Sequence, residues 1–286
     1  MNTGPTVRDE TVTLDGLRFH YRDWGDPDAP PVVLLHAYLQ HARTWDTVAR
    51  GLADRFRVLA LDHRGFGESA WSSDYHELRF VADLAGFVDA LKLETFSAVG
   101  FSMSASTAIS YALLYPDRVQ RLVLLEDFAD PDEQGDAPWI AVMDDQLGRF
   151  KTLPASFASL EEAVAAFRPL APYAAAGEVR HWMEGGLKPG ADGRWVWRLD
   201  PVIRIPGPPE RLQAVQPLVN ARFTQVTCPV LLLAGADSWL VEPMKRMGRL
   251  NPRARTVTIP QAGHWLPLDN PDGFLEALRR FLNGDE

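Results

Sequence analysis

The stretch Gly100-Phe101-Ser102-Met103-Ser104 decides how this sequence is interpreted, because it predicts a serine in a sharp turn between a strand and a helix. Residues 96–101 (Phe-Ser-Ala-Val-Gly-Phe) are short and mostly apolar, which predicts a buried strand. Residues 103–115 are rich in small side chains and predict a helix. A serine in such a turn has its hydroxyl lifted clear of the sheet, at the positive end of a helix, where developing negative charge is favoured. Ser102 is therefore a candidate nucleophile.

The segments on both sides of this turn alternate between strand patterns and helical patterns. Strands are predicted near 31–35, 57–61, 96–101, 120–125, 229–234 and 255–259. Helices are predicted near 42–53, 75–91, 103–115, 242–250 and 271–282. This alternation is typical of an α/β fold with a mostly parallel sheet and helices on both faces. An antiparallel hairpin is expected before it at Asp15-Gly16, since this pair suits a turn with positive φ.

The alternation breaks between residues 129 and 222, a segment that holds half of the chain's 22 prolines. The capping-box pattern at 159–162 predicts a helix that runs through Phe167. A second helix is predicted to end at Gly185-Gly186, and a third to begin near Pro209. The sequence therefore predicts a core formed by residues 1–128 and 223–286, interrupted by a mainly helical insert.

Composition limits the classes of function. The 286 residues carry a formal net charge of −9, which argues against nucleic acid or an anionic membrane as a partner. Cys228 is the one cysteine, so no intramolecular disulfide is expected and a reducing compartment fits. The first ten residues lack the apolar stretch of a signal peptide, and no segment has the roughly 18 apolar residues of a membrane span. The expected location is the cytoplasm.

Three further motifs follow predicted strands in a fixed order: His36-Ala37-Tyr38, Asp62-His63-Arg64-Gly65-Phe66-Gly67-Glu68-Ser69, and Gly263-His264-Trp265. Together with the serine turn they resemble the α/β-hydrolase superfamily, and the resemblance covers nearly all of the chain outside the insert. It implies that residues 129–222 form a cap over the active site. The sequence departs from the family pattern at Ser104 and at Ala37, where the pattern usually has glycine.

The resemblance implies that Ser102 acts with a histidine and a carboxylate. His264 is the candidate general base, on a loop between the last strand and the final helix, where Gly263 lets the backbone turn. The acid is ambiguous. Its usual place in the family is occupied by Ser238, with Asp237 one residue earlier, whereas Glu126 and Asp127 follow the preceding strand, as in certain small esterases and lactonases. Glu126 is the first choice, and Asp237 and Asp127 remain alternatives.

The resemblance also indicates how an oxyanion and a substrate would be bound. Two backbone amides are expected to form the oxyanion hole: that of Met103, directly after the nucleophile, and that of Tyr38. Several tryptophans of the insert and of the histidine loop are candidate substrate-binding residues: Trp139, Trp182, Trp195, Trp197 and Trp265.

The expected function is that of a serine hydrolase that cleaves a carboxylic ester or lactone of a fairly hydrophobic small molecule. No cofactor or metal is expected. The same scaffold could instead serve a carbon–carbon bond hydrolase, a cofactor-free oxygenase, or a ligand receptor without turnover. The sequence leaves open whether the chain forms a homodimer.

Overall fold

A computed structural model describes residues 6–127, 148–150, 152–204 and 222–285. The strands of this part are β1 (Arg8–Leu14), β2 (Leu17–Trp24), β3 (Pro31–Leu35), β4 (Arg57–Leu61), β5 (Phe96–Phe101), β6 (Val119–Leu125), β7 (Ser156–Phe157), β8 (Leu187–Pro189), β9 (Trp195–Trp197), β10 (Val230–Gly235) and β11 (Ala254–Ile259). Its helices include α1 (Asp46–Leu52), α2 (Glu77–Ala90), α3 (Met103–Leu114), α4 (Leu160–Phe167), α5 (Ala176–Gly186), α6 (Val241–Leu250), α7 (Leu266–Asp269) and α8 (Pro271–Asn283).

Eight strands form the central sheet in the order β1-β2-β4-β3-β5-β6-β10-β11. Strand β2 is antiparallel to β1 and β4, and the remaining pairs are parallel. Successive residues of β3 enter different core clusters, Val32 and Leu34 on one face and Val33 and Leu35 on the other. The sheet is therefore buried on both faces, as the apolar runs predict for a parallel sheet. The α/β fold class is confirmed.

Most of the predicted elements are confirmed near their expected positions. The hairpin turns at Asp15 and Gly16, whose φ values of 47° and 76° are both positive. One half of the capping box is formed as predicted, since the Ser159 hydroxyl accepts a hydrogen bond from the Glu162 amide at 3.1 Å, whereas the Glu162 carboxylate accepts from the Ala158 amide, one residue before the cap. The predicted helix over 42–53 is divided into a 3₁₀ turn, Ala42–Trp45, and α1. The helix predicted near Pro209 lies outside the described residues.

Residues 152–204, the longest described part of the insert, contain more than helices. Strands β7, β9 and β8 form a small antiparallel sheet, which the sequence did not predict because strands of two or three residues show no periodicity. The buried hydrophobic residues of helices α4 and α5 belong to the same core cluster as one face of the central sheet. The described part of the insert therefore shares one core cluster with the central sheet.

Candidate active site

Ser102 lies in a strained turn between β5 and α3. Its φ of 51° and ψ of −113° fall in a region that residues other than glycine rarely adopt. The turn is tight: a Cβ atom on Gly100 would lie 2.6 Å from the Ser104 carbonyl oxygen. The Ser102 amide donates to the Leu125 carbonyl at 2.8 Å, which ties the turn to the end of β6. The sequence prediction of a serine held at a sharp strand-to-helix turn is confirmed in its geometry.

Ser104, one of the two departures from the family pattern, is accommodated by hydrogen bonds. Its hydroxyl donates to the His36 carbonyl at 2.5 Å and contacts His63 Nε2 at 2.7 Å. Since the hydroxyl proton goes to the carbonyl, His63 must donate its Nε2 proton to Ser104. His36 in turn donates from Nδ1 to the Ala37 carbonyl at 2.8 Å and accepts from the His63 amide at 3.1 Å. The side chain that replaces glycine therefore links the serine turn to the loop at 36–41.

Glu126 is the carboxylate that faces His264. Its Oε2 atom lies 3.1 Å from His264 Nδ1. The same carboxylate accepts from the Gly235 amide at 2.7 Å and from the Ser238 hydroxyl at 2.5 Å. Glu126 is fully buried and has a positive φ of 50°, so its backbone is shaped to turn the side chain toward the end of β10. Three donors converge on this carboxylate and hold it in one orientation.

The two alternative carboxylates have different surroundings. Asp237 is exposed and accepts a hydrogen bond from the Tyr173 hydroxyl at 2.8 Å. The Asp127 amide donates to Met244 Sδ at 3.3 Å, and Met244 belongs to the core cluster on the other face of the sheet. Sequence reasoning missed Ser238, although its place gave a signal, since it stands where the family usually has the acid. In this chain its hydroxyl donates to Glu126, which follows the neighbouring strand β6.

The His264 loop is held by both its backbone and its neighbouring rings. The Gly263 amide donates to Asp269 Oδ2 at 2.9 Å. Burial raises the pKa of Asp269 to about 6, although the Gly263 hydrogen bond opposes this shift. The His264 ring centroid lies 5.5 Å from that of Phe101 and 5.1 Å from that of Trp265. The imidazole is therefore confined between the rings of Phe101, which precedes Ser102, and Trp265, which follows His264.

The two amides expected to bind an oxyanion lie on separate loops. Met103 is the first residue of α3, so its N–H is one of the groups that have no partner within the helix. Tyr38 lies between the carboxyl end of β3 and α1, and within the described ranges its amide has no hydrogen-bond acceptor. The Tyr38 hydroxyl donates to the carbonyl oxygens of Ile203, at 3.1 Å, and Arg204. The side chain is thus attached to the insert.

The five candidate tryptophans divide into groups. Trp265 and Trp182 are buried, their centroids lie 4.8 Å apart, and Trp265 contacts His264. Trp197 packs in the small sheet, where its Nε1 donates to the Pro154 carbonyl at 2.9 Å, and half-buried Trp195 lies on the same strand. Trp139 lies outside the described residues. Two of the five thus pack together, and one of these two, Trp265, contacts His264.

Three buried histidines, His36, His41 and His63, predict a loss of stability in acid. Burial lowers the pKa of His36 and His63, and it lowers that of His41 to about 4. In the unfolded chain each of these histidines has a pKa of about 6.5. Below that pH the histidines of the unfolded chain are protonated while those of the folded protein stay neutral, which favours unfolding. His20 opposes this trend, because the carboxylates of Asp62 and Asp9 raise its pKa although burial lowers it.

The free energy of unfolding should therefore have its full value above pH 6.5 and decrease as the pH drops from 6.5 toward 4. Each uncompensated histidine contributes a slope of up to about 1.4 kcal/mol per pH unit. Urea unfolding at pH 7.5, 6.5 and 5.5 measures this slope. The variant His41→Gln keeps a donor but cannot titrate, so its slope should be smaller. An identical slope in the wild type and in His41→Gln would show that His41 is not held neutral in the folded protein.

Membrane spans and metal sites are two further features that a chain of this length could carry. Within residues 6–127, 148–150, 152–204 and 222–285, no helix combines the length and apolar character needed to cross a membrane. In the same part of the chain, no group of three or more histidine, cysteine, aspartate or glutamate side chains is placed to hold a metal ion.

Comparison with known proteins gives a consistent result. The family model described as alpha/beta hydrolase fold matches residues 30–271. The chain is 29% identical over 268 residues to the sn-1-specific diacylglycerol lipase ABHD11 of Mus musculus, covering 90% of this chain and 82% of that one. It is also 29% identical over 271 residues to the 3-hydroxybutyrate-oligomer hydrolase of Cupriavidus necator, with 89% and 90% covered.

A solved structure shows the same fold at lower identity. The crystal structure of E-2-(acetamidomethylene)succinate hydrolase matches with a TM-score of 0.83 and 24% identity, covering 97% of this chain and 100% of that chain. The structural match extends along nearly the whole chain, and the residues matched by the family model include the serine turn and the strands from β3 to β11.

Proposed function

This chain belongs to the α/β-hydrolase family, and from that premise we propose that it is a serine hydrolase that cleaves a carboxylic ester or lactone. The observation that carries the proposal is the hydrogen bond between Glu126 and His264, at 3.1 Å, at the same edge of the sheet as the strained turn of Ser102. A buried carboxylate on Nδ1 fixes the imidazole tautomer that leaves Nε2 able to accept a proton. The relatives named as a lipase and an oligomer hydrolase support an acyl-transfer reaction.

The proposed reaction proceeds in two halves. His264 Nε2 takes the hydroxyl proton as Ser102 Oγ attacks the carbonyl carbon, and the amides of Met103 and Tyr38 bind the oxyanion. When the tetrahedral intermediate collapses, His264 gives that proton to the departing alkoxide, and the acyl group stays on Ser102. Water then attacks the acyl-enzyme with His264 again as base, which releases the acid and restores the serine. Glu126 stabilises the imidazolium in both halves.

We assign residues 129–222 as a cap. We place the hydrophobic part of the substrate in the aromatic space between this cap and the His264 loop. Phe150 supports this assignment, since its ring centroid lies 5.7 Å from that of Trp265 and 6.3 Å from that of Tyr38. An aromatic wall of this kind favours a hydrophobic substrate. The reaction needs no cofactor, and the cytoplasmic location and a homodimer remain predictions from the sequence.

Hydrolysis of a panel of p-nitrophenyl esters and aromatic lactones tests the bond class. We expect turnover of at least one ester or lactone, with chain length or ring size selecting among them. A carbon–carbon bond hydrolase would instead require a vinylogous keto-acid substrate, and an oxygenase would consume oxygen without needing Ser102. A receptor would react with a serine-directed phosphonate and turn over no ester. Absence of both turnover and labelling would overturn the proposal.

A further inference from the structure

Helix α5 of the insert makes two hydrogen bonds with the loop that carries the Tyr38 amide. Trp182 Nε1 donates to the Leu39 carbonyl at 3.2 Å. In the opposite direction, His41 Nε2 donates to the Trp182 carbonyl at 2.9 Å. All three residues are buried, so neither bond competes with solvent. One residue of the insert thus bonds to two positions of the loop, directly after Tyr38.

The loop adopts a conformation that its own sequence does not favour. Leu39 has a φ of 62°, in the left-handed region, which costs a non-glycine residue about 1 kcal/mol or more. The residue before Tyr38 is Ala37, where the family pattern has the more permissive glycine. A strained residue persists only where its surroundings hold it. The Trp182 indole donates to the Leu39 carbonyl, so it is the group of the insert that holds this strained residue in place.

The contact between helix α5 and His41 is so close that it requires glycine at position 185. A Cβ atom on Gly185 would lie 2.3 Å from His41 Cε1, so the last turn of α5 packs directly on the histidine ring. On its other side, the Trp182 ring lies 4.8 Å from Trp265, the neighbour of His264. Trp182 therefore contacts both the loop proposed to bind the oxyanion and the loop proposed to supply the base.

We propose that Trp182 is a positioning residue that fixes the Tyr38 amide through the Leu39 carbonyl, so that the insert forms part of the oxyanion hole. The inference rests on the proposed function. Because α5 bonds to this loop at two points, it cannot swing away as a lid without disturbing the Tyr38 amide. Oxyanion donors act on the transition state, so losing the Nε1 donor should lower kcat and leave KM nearly unchanged.

The test compares Trp182→Phe, which removes the donor and keeps an aromatic ring, with Trp24→Phe. Trp24 is an equally buried indole whose Nε1 has no hydrogen-bond partner among the described residues, so it controls for lost volume alone. We expect kcat for a p-nitrophenyl ester to fall about 10- to 100-fold in Trp182→Phe, with KM within about 3-fold. Trp24→Phe should keep kcat within about 2-fold, and Trp182→Phe should lose more Tm than Trp24→Phe, because the Trp182 substitution also leaves the buried Leu39 carbonyl without the indole donor.

A second measurement separates this inference from the proposed function. Phosphonylation of Ser102 by a fluorophosphonate also places an oxygen in the oxyanion hole, so its rate should fall in parallel with kcat. If the wild type is labelled at Ser102 and Trp182→Phe reacts as fast, the inference is overturned and the proposed function stands. If the wild type is not labelled, the proposed function fails and the inference fails with it. Should Trp182→Phe not fold, His41→Leu removes the reciprocal bond and should slow both reactions, whereas His41→Gln should not.

Discussion

Replacing Ser102 with alanine is expected to lower kcat/KM for ester hydrolysis by at least about 10⁴-fold while the fold is retained. The acyl-enzyme cannot form without the hydroxyl, and the remaining rate would come from the oxyanion amides and from substrate binding alone. The side chain lies in a turn whose strain comes from its backbone, with φ of 51°, and alanine needs the same backbone conformation. Steady-state kinetics with the best ester of the panel measure the loss.

The matched control is Ser110→Ala, two turns further along α3 and half-buried. It removes an equivalent hydroxyl from the same helix and should keep kcat/KM within about 2-fold. Thermal unfolding of both variants should give Tm values close to that of the wild type. Ester hydrolysis that survives Ser102→Ala with its original kcat/KM would show that another group or a water molecule is the nucleophile.

The second large effect is expected for Glu126→Gln, which should lower kcat by about 10³- to 10⁴-fold. The carboxylate receives donors from Gly235, Ser238 and His264 on its two oxygens. A glutamine amide presents one oxygen and one NH₂ group, so at least one of these donors would face another donor. The imidazole would then lose its tautomer and orientation, and its cation would lose the buried negative charge that stabilises it.

The control for this substitution is Asp237→Asn at the alternative acid. Asp237 is exposed and bonds to Tyr173, so its variant should keep kcat within about 2-fold. A buried donor without an acceptor costs about 1–3 kcal/mol, so Glu126→Gln should also lower the Tm. If Asp237→Asn lost the activity and Glu126→Gln kept it, the acid would belong to the loop after β10 and the assignment of Glu126 would be wrong.

The parts of the fold that were predictable from sequence rest on local signals. The apolar runs mark the parallel strands because those strands are buried on both faces, and the small residues around Ser102 mark a turn that leaves no room for larger ones. The insert was recognisable as a break in this pattern. Its small sheet was not predicted, because Leu187–Pro189 and Trp195–Trp197 are too short to show a period of two.

Two features could not be decided from the sequence: which carboxylate faces His264, and which groups hold the loop at 36–41. Glu126 reaches His264 because its own φ is positive, at 50°, and because Ser238 and the Gly235 amide hold its carboxylate. The hydrogen bonds between Trp182 and the loop at 36–41 join residues more than 140 positions apart. Contacts of this range follow from the packing of the insert on the core, which no local pattern encodes.

In the proposed mechanism, Ser102 is a nucleophile activated by His264. The most direct test is reaction of the protein with a fluorophosphonate, followed by peptide mapping by mass spectrometry. Ser102 would form a bond to phosphorus and expel fluoride, with its proton taken by His264. We expect the adduct on the peptide that contains Ser102, and none in Ser102→Ala or His264→Ala. Ester turnover by a wild type whose Ser102 stays unmodified, or an adduct that forms as fast in His264→Ala, would contradict this claim.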